Sequence, residues 1–385
     1  MAGTSNGILD GIVVLDLSSG VAGPAATQTL SDLGADVIKV EPSSGDPVRH
    51  WPGPRLECGD SAAFLALNRN KRSVVLDLTG AKGRAAVRAM AGKADVVVVD
   101  SPPDALAELG LDAESLRGEN PRLIHAEIDP RLPDGSVGRD ALHQAASGWG
   151  AMSGLPEGPP AKAGLPMIEL TAANSLVQAV LAALYAREDS GAGQAVSVGL
   201  FRNALAMTYF YGLNYRISGN APARHGNGSP AAAPLGVFQA ADGPLQMTLA
   251  GERVWRKFVD NIANRPEWLA DERFATNTNR VLNKDVLMAE IDTMFATQPR
   301  DRWVDAMRAA GVPGGPIRTI GEAVDSPEVQ ERGLVGTAPH SAAGEVPVVL
   351  NPLRFAGTPV RAPQGAPLLG EHTAEIAAAY GLALA

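Results

Sequence analysis

Apolar positions in the first two hundred residues fall in two alternating rhythms. Short, nearly continuous β-branched runs occur at Ile12 to Leu17, Val37 to Val40, Val74 to Leu78, Val96 to Val99 and Leu123 to Ile128. Runs of that length predict strands buried on both faces. Gly20-Val21-Ala22-Gly23-Pro24 reads as a tight loop that opens a helix through Leu33, with Pro24 at the first helical position. Gly34 and Ala35 stop that helix before the second strand, which completes one βαβ unit. Continued from about residue 8 to 200, the alternation predicts an α/β fold: a doubly wound, mostly parallel sheet with helices on both faces.

A longer period follows. From Thr171 to Arg187 the chain is rich in Ala and Leu, and Leu176, Val180 and Leu184 recur at helical spacing, so a buried helix is expected. Thr171 is placed to cap it, which sets Glu169 just outside its positive end, where an ionised carboxylate is favoured. A carboxylate kept charged yet poor in water is what a nucleophile requires. The bland alternative is an acid that only decorates a helix end.

Ser218 to Pro234 is rich in Gly, Pro, Ala and Asn. Beyond it, Leu235 to Gln239 and Leu245 to Leu249 flank the turn signal Ala241-Asp242-Gly243-Pro244, and helices are expected at Arg253 to Asn261, Val281 to Ala296 and Arg302 to Ala310. The organisation predicted is a large domain over residues 1–215, a linker over 216–234, a small α/β domain over 235–330, and a return segment over 331–385 that completes the large domain with a last strand (Val346 to Leu350) and a helix (Thr373 to Tyr380).

Composition narrows the function classes. The chain has 385 residues, 45% of them apolar, enough for two cores. No run of about eighteen apolar residues suggests a membrane span and no signal peptide is read, so a cytoplasmic location is expected. A net charge of −9 argues against a nucleic-acid-binding surface. The single cysteine, Cys58, excludes an intramolecular disulfide and any multi-cysteine metal site. No zinc, P-loop or Ser-His-Asp pattern is present.

Taken in order, these segments resemble the family III CoA-transferases, the superfamily of the formyl-CoA and carnitine enzymes that also includes α-methylacyl-CoA racemase. Gly191-Ala192-Gly193-Gln194, Ala310-Gly311-Val312-Pro313-Gly314-Gly315-Pro316-Ile317 and Ala366-Pro367-Leu368-Leu369-Gly370-Glu371-His372-Thr373 extend the likeness nearly end to end. The resemblance implies an interlocked dimer, a homodimer or a heterodimer with an active paralogue. It also implies coenzyme A or acyl-CoA as substrate with no tightly bound cofactor, and a small carboxylic acid as the other partner.

Glu169 aligns with the family's catalytic aspartate, which attacks the donor thioester to give a mixed anhydride and then carries CoA as an enzyme thioester. The departure is one methylene, roughly 1.5 Å of reach, where about 1 Å of misplacement costs about a hundredfold in rate. Asp140 aligns with an acidic residue lining the active site, and equally suits an N-cap of a helix from Ala141 to Trp149. Trp51 resembles a pocket-wall aromatic, and Val21 and Ala22 align with backbone near the thioester.

Asp100-Ser101-Pro102 stands where the family has Asn and an aromatic on the CoA path, so the adenine end is expected there. Pro42 and Glu108 replace basic residues, leaving Arg69, Lys71, Arg72 and Arg88 as phosphate ligands or as solvated charge. Arg139 stands before Asp140 where the racemases have histidine, which weakens the racemase alternative, since racemisation needs two acid/base groups. A catalytically silent subunit is the remaining alternative.

Overall fold

The structure is a computed structural model and describes residues 7–383. The chain divides into two units: one takes residues up to 149, 162–219 and 327 onward, the other 150–161 and 220–326.

The first unit is built on six strands: β1 (Val13–Asp16), β2 (Asp36–Glu41), β3 (Arg72–Val75), β4 (Val96–Val99), β5 (Ile124–Asp129) and β6 (Ala195–Gly199). Their order is β3-β2-β1-β4-β5-β6 and every pairing is parallel. This is the Rossmann order, in which ligands bind beyond the carboxyl ends of the strands. The valines of β4 are all buried because the strand sits mid-sheet under helices on both faces. Val96 and Val98 turn to the side where the helices Ala22–Asp32 and Met167–Ser190 pack. Val97 and Val99 turn to the side holding Met90, Leu106, Leu116 and Ile376. Entry to β6 depends on Gly193, where a Cβ would lie 2.1 Å from the Leu123 carbonyl oxygen.

Three local expectations change. Pro24 is the third rather than the first residue of its helix, still within the turn whose N–H groups need no helical partner. The long helix starts at Met167, not Thr171. It is apolar and long enough to cross a membrane by length and composition, contrary to the expectation of no such run. In the fold it is a core helix packed against Ala22–Asp32 and β5, with Arg187 paired to Asp95 at 2.9 Å.

In the second unit, β7 (Leu235–Ala240), β8 (Gly243–Thr248) and β9 (Gly314–Pro316) form an antiparallel sheet over an aromatic core that includes Trp255, Phe258, Phe274 and Phe295. Of the stretch expected to be a linker, residues 220–234 belong here. Gly226 N–H donates to the Gly154 carbonyl (3.0 Å) and Arg224 donates to the Gly158 carbonyl (2.8 Å), so residues 150–161 and the Gly/Pro stretch hold each other. No local pattern signals that pairing. In the return segment, β10 (Val335–His340) and β11 (Gly344–Val349) form a two-stranded antiparallel ribbon and, among the described residues, pair only with each other, so the expected last strand does not join the main sheet. The helix Thr373–Tyr380 does pack on the first unit's core through buried Ile376.

Candidate active site

Beyond the carboxyl ends of β1 and β2, two loops converge with the first turns of two helices. Together they enclose a cavity of about 390 Å3 whose walls include Val21, Trp51, Arg139, Asp140, Lys162 and Glu169.

Asp46 and Lys39 fix the loops. Asp46 accepts from Val48 N–H (2.9 Å) and Gly20 N–H (3.4 Å), tying the loop after β2 to the loop after β1. Lys39, fully buried on β2, pairs with Asp46 at 2.8 Å and donates to the Ser18 carbonyl at 3.0 Å. Asp16, at the end of β1, is bound by Lys71 at 2.9 Å. Burial alone would raise the Asp16 pKa, but Lys71, Lys39 and the Ser18 and Thr27 hydroxyls outweigh it and hold the carboxyl well below the ordinary range. The same burial pulls Lys71 down to about 8 against the attraction of Asp16.

The two acids meet at two helix starts. The helix Met167–Ser190 has Pro166 at its N-cap, which offers no side-chain acceptor. Asp140 supplies one from elsewhere in the chain: its Oδ1 accepts from Ile168 N–H (2.7 Å) and Glu169 N–H (3.2 Å). In return Glu169 Oε1 accepts from Asp140 N–H (3.3 Å) at the start of the helix Asp140–Ala146. Gln144 donates to the second Asp140 oxygen and accepts from Ala163 N–H at 2.8 Å, which fixes the carboxylate's rotation.

Asp140 therefore does not cap its own helix; it caps the neighbouring one. Thr171 caps nothing, because it lies inside the helix and its hydroxyl donates to the Met167 carbonyl at 2.8 Å. Glu169 is thus a first-turn residue rather than one outside the end. It is 5% exposed. Burial raises its pKa above the ordinary value of 4.5; Arg139 and the Asp140 N–H oppose this, and the Asp140 charge adds to it.

The structure brings Val21, Trp51, Arg139, Asp140 and Glu169 to one cavity, with Trp51 41% exposed. Ala22 is buried at the start of its helix, and neither it nor Ser101 is among the cavity walls. Asp100 turns inward, accepting from Ser19 N–H at 2.9 Å, and burial pushes its pKa up to about 6. Arg72 opens β3 and is bound to Asp36 (2.5 Å) and Glu375 (2.8 Å). Arg69 pairs with Asp32, Lys71 with Asp16 and Arg88 with Glu119. All four cations considered for phosphate contact are therefore held by carboxylates. Lys162, which no pattern singled out, is the second cation at the cavity. Among the described residues no group of three or more His, Cys, Asp or Glu could hold a metal ion.

Known proteins resemble this chain along nearly its whole length. A succinate–glutarate CoA-transferase of Agrobacterium fabrum is 38% identical over 96% of this chain and 95% of its own. An acetyl-CoA:oxalate CoA-transferase of Acetobacter aceti is 34% identical over the same shares. Among solved structures, a CaiB/BaiF family protein from Brucella suis superposes with a TM-score of 0.89 at 33% identity, covering 97% of this chain and 100% of that one. The model of CoA-transferase family III matches residues 9–373, and with relatives of this identity and coverage the chain belongs to that family.

Proposed function

We propose that this chain moves CoA from an acyl-CoA to a small carboxylic acid with Glu169 as the nucleophile. The observation that carries the reading is a buried carboxylate facing a cavity, with its backbone N–H and one oxygen fixed by Asp140.

The steps need no external proton or redox partner. A Glu169 oxygen attacks the donor thioester carbonyl, the carbon–sulfur bond breaks, and CoA leaves as the thiolate with a mixed anhydride on Glu169. The thiolate then attacks the Glu169 side-chain carbonyl carbon and releases the donor carboxylate, leaving an enzyme thioester. Repetition in reverse with the second acid delivers its CoA ester and regenerates Glu169. Over each half-reaction one thioester replaces another and one carboxylate replaces another, so each half-reaction is nearly isoenergetic, with the mixed anhydride as its high-energy intermediate. Arg139 supports the ionised form of Glu169 against burial.

The same reading includes a dimer. The helix Tyr209–Ser218 has no buried residue and exposes Tyr209, Phe210, Leu213 and Ile217, an apolar surface of the kind that marks an interface. The test is to purify the chain alone and follow CoA exchange between succinyl-CoA and small carboxylates. Transfer by the parent and its loss in Glu169→Gln supports the reading; a Glu169→Gln variant that transfers as well as the parent ends it. No transfer by the parent favours a silent subunit.

A further inference from the structure

Arg139 has a guanidinium whose donors are unused. Among the described residues it makes no hydrogen bond or ion pair. The acids around it are engaged elsewhere: Asp140 by Ile168, Glu169 and Gln144, Asp46 by Lys39, and Asp100 by Ser19. Its position is nonetheless defined. Gly20, with φ of +76°, lets the guanidinium lie against the backbone, and a Cβ there would stand 2.9 Å from Nη1.

The remaining walls are largely apolar: Val21, Val48, Trp51, Leu165 and Pro166. Lys162, the other cation, donates to the Ala163 carbonyl at 3.2 Å. The cavity thus presents two poles, an oxygen nucleophile that reacts with one carboxyl group and a forked cation that binds another. A guanidinium matches a carboxylate bidentately, whereas a monocarboxylic acid would leave it facing a methyl group.

We propose that Arg139 holds the carboxylate that does not react, and so selects dicarboxylic acids as CoA acceptors. The inference rests on the CoA-transfer reading above. It concerns only which acid enters and makes Arg139 a specificity residue.

The experiment compares glutarate with valerate, its monocarboxylic counterpart, as acceptors at saturating succinyl-CoA, in the parent, Arg139→Gln and Arg139→Lys. Free-CoA affinity and melting temperature are measured alongside. The parent is expected to favour glutarate by about a hundredfold in kcat/KM, as one charged bidentate contact would give. Arg139→Gln should lower the glutarate value by that factor, chiefly through KM. Valerate should fall by a much smaller factor, because it registers only the support Arg139 gives to ionised Glu169. The CoA affinity should be unchanged, and Arg139→Lys should recover part of the glutarate loss.

A parent that uses the two acids equally overturns the inference while leaving CoA transfer standing. An Arg139→Gln variant that loses both acids alike assigns the guanidinium to the charge of Glu169. One that loses free-CoA affinity assigns it to a phosphate. Each of these results overturns the inference. A parent inactive with every acid defeats the functional reading itself, and the inference with it.

Discussion

Removing the Asp140 carboxylate separates the structural from the chemical half of the site. In the fold this group accepts from Ile168 N–H at 2.7 Å, Glu169 N–H at 3.2 Å and the Gln144 amide. Asp140→Ala strands two helix-end N–H groups beside Pro166, which cannot replace the acceptor. Loss of a cap costs about 0.5–2 kcal/mol, and each buried group left unsatisfied about 1–3 kcal/mol. Asp140 is 9% exposed at a cavity wall, so water recovers part of this, and a net cost of about 2–4 kcal/mol is expected.

Asp140→Asn keeps one carbonyl oxygen for the helix end but turns its NH2 toward the Gln144 amide. Gln144 cannot simply flip, because its own oxygen accepts from Ala163 N–H. The asparagine variant should therefore lose about 1–2 kcal/mol, less than alanine. Since Glu169 moves with the helix start, both variants should also lose roughly one to three orders of magnitude in transfer rate. Urea unfolding followed by CoA-exchange kinetics gives both numbers. An alanine variant as stable and as fast as the parent would refute the trans-capping argument.

Glu169→Asp should lower transfer by about ten- to a thousandfold, because the shorter side chain gives up the Asp140 N–H and retreats from the cavity; full activity would mean that reach does not matter here. Burial raises the Glu169 pKa, so the folded state favours its protonated form, and ionisation costs stability as pH rises from the unfolded value through the folded one. Glu169→Gln should then melt above the parent at pH 8 and converge with it near pH 4, and a gap constant across that range would contradict the burial argument. The acid limb of the transfer rate should sit above the ordinary carboxylate value for the same reason. Asp16→Asn leaves buried Lys71 without its anion and should cost about 3–5 kcal/mol, read by urea unfolding; a cost under 1 kcal/mol would show that the pair is dispensable.

The parallel sheet was legible because runs such as Val96 to Val99 are β-branched and, bounded by Asp95 and Asp100, too short for a buried helix, which leaves a strand covered on both faces. Motif order singled out Glu169, Asp140, Arg139, Val21 and Trp51, and the fold sets all five around one cavity. What local pattern could not carry was partnership. Thr171 looked like a cap because a hydroxyl before an apolar run usually is one, but here the acceptor arrives from twenty-eight residues away, through Asp140. Arg69, Lys71, Arg72 and Arg88 looked available because a sequence displays charges without their counter-ions. Val346 to Leu350 looked like a sheet strand because a single run cannot say whether it meets the main sheet or one neighbour. Lys162 sits in a loop of Gly, Pro and Ala that carries no signal at all.

The central claim is that Glu169 becomes covalently bonded to CoA. The direct measurement is intact-protein and peptide mass spectrometry after incubating the chain with succinyl-CoA and quenching, with parallel samples treated with hydroxylamine or borohydride. A CoA mass on the peptide containing Glu169, replaced by a hydroxamate or an alcohol on treatment and missing in Glu169→Gln, is the predicted result. Robust CoA transfer with no adduct on Glu169, or with the adduct on another residue, would contradict it.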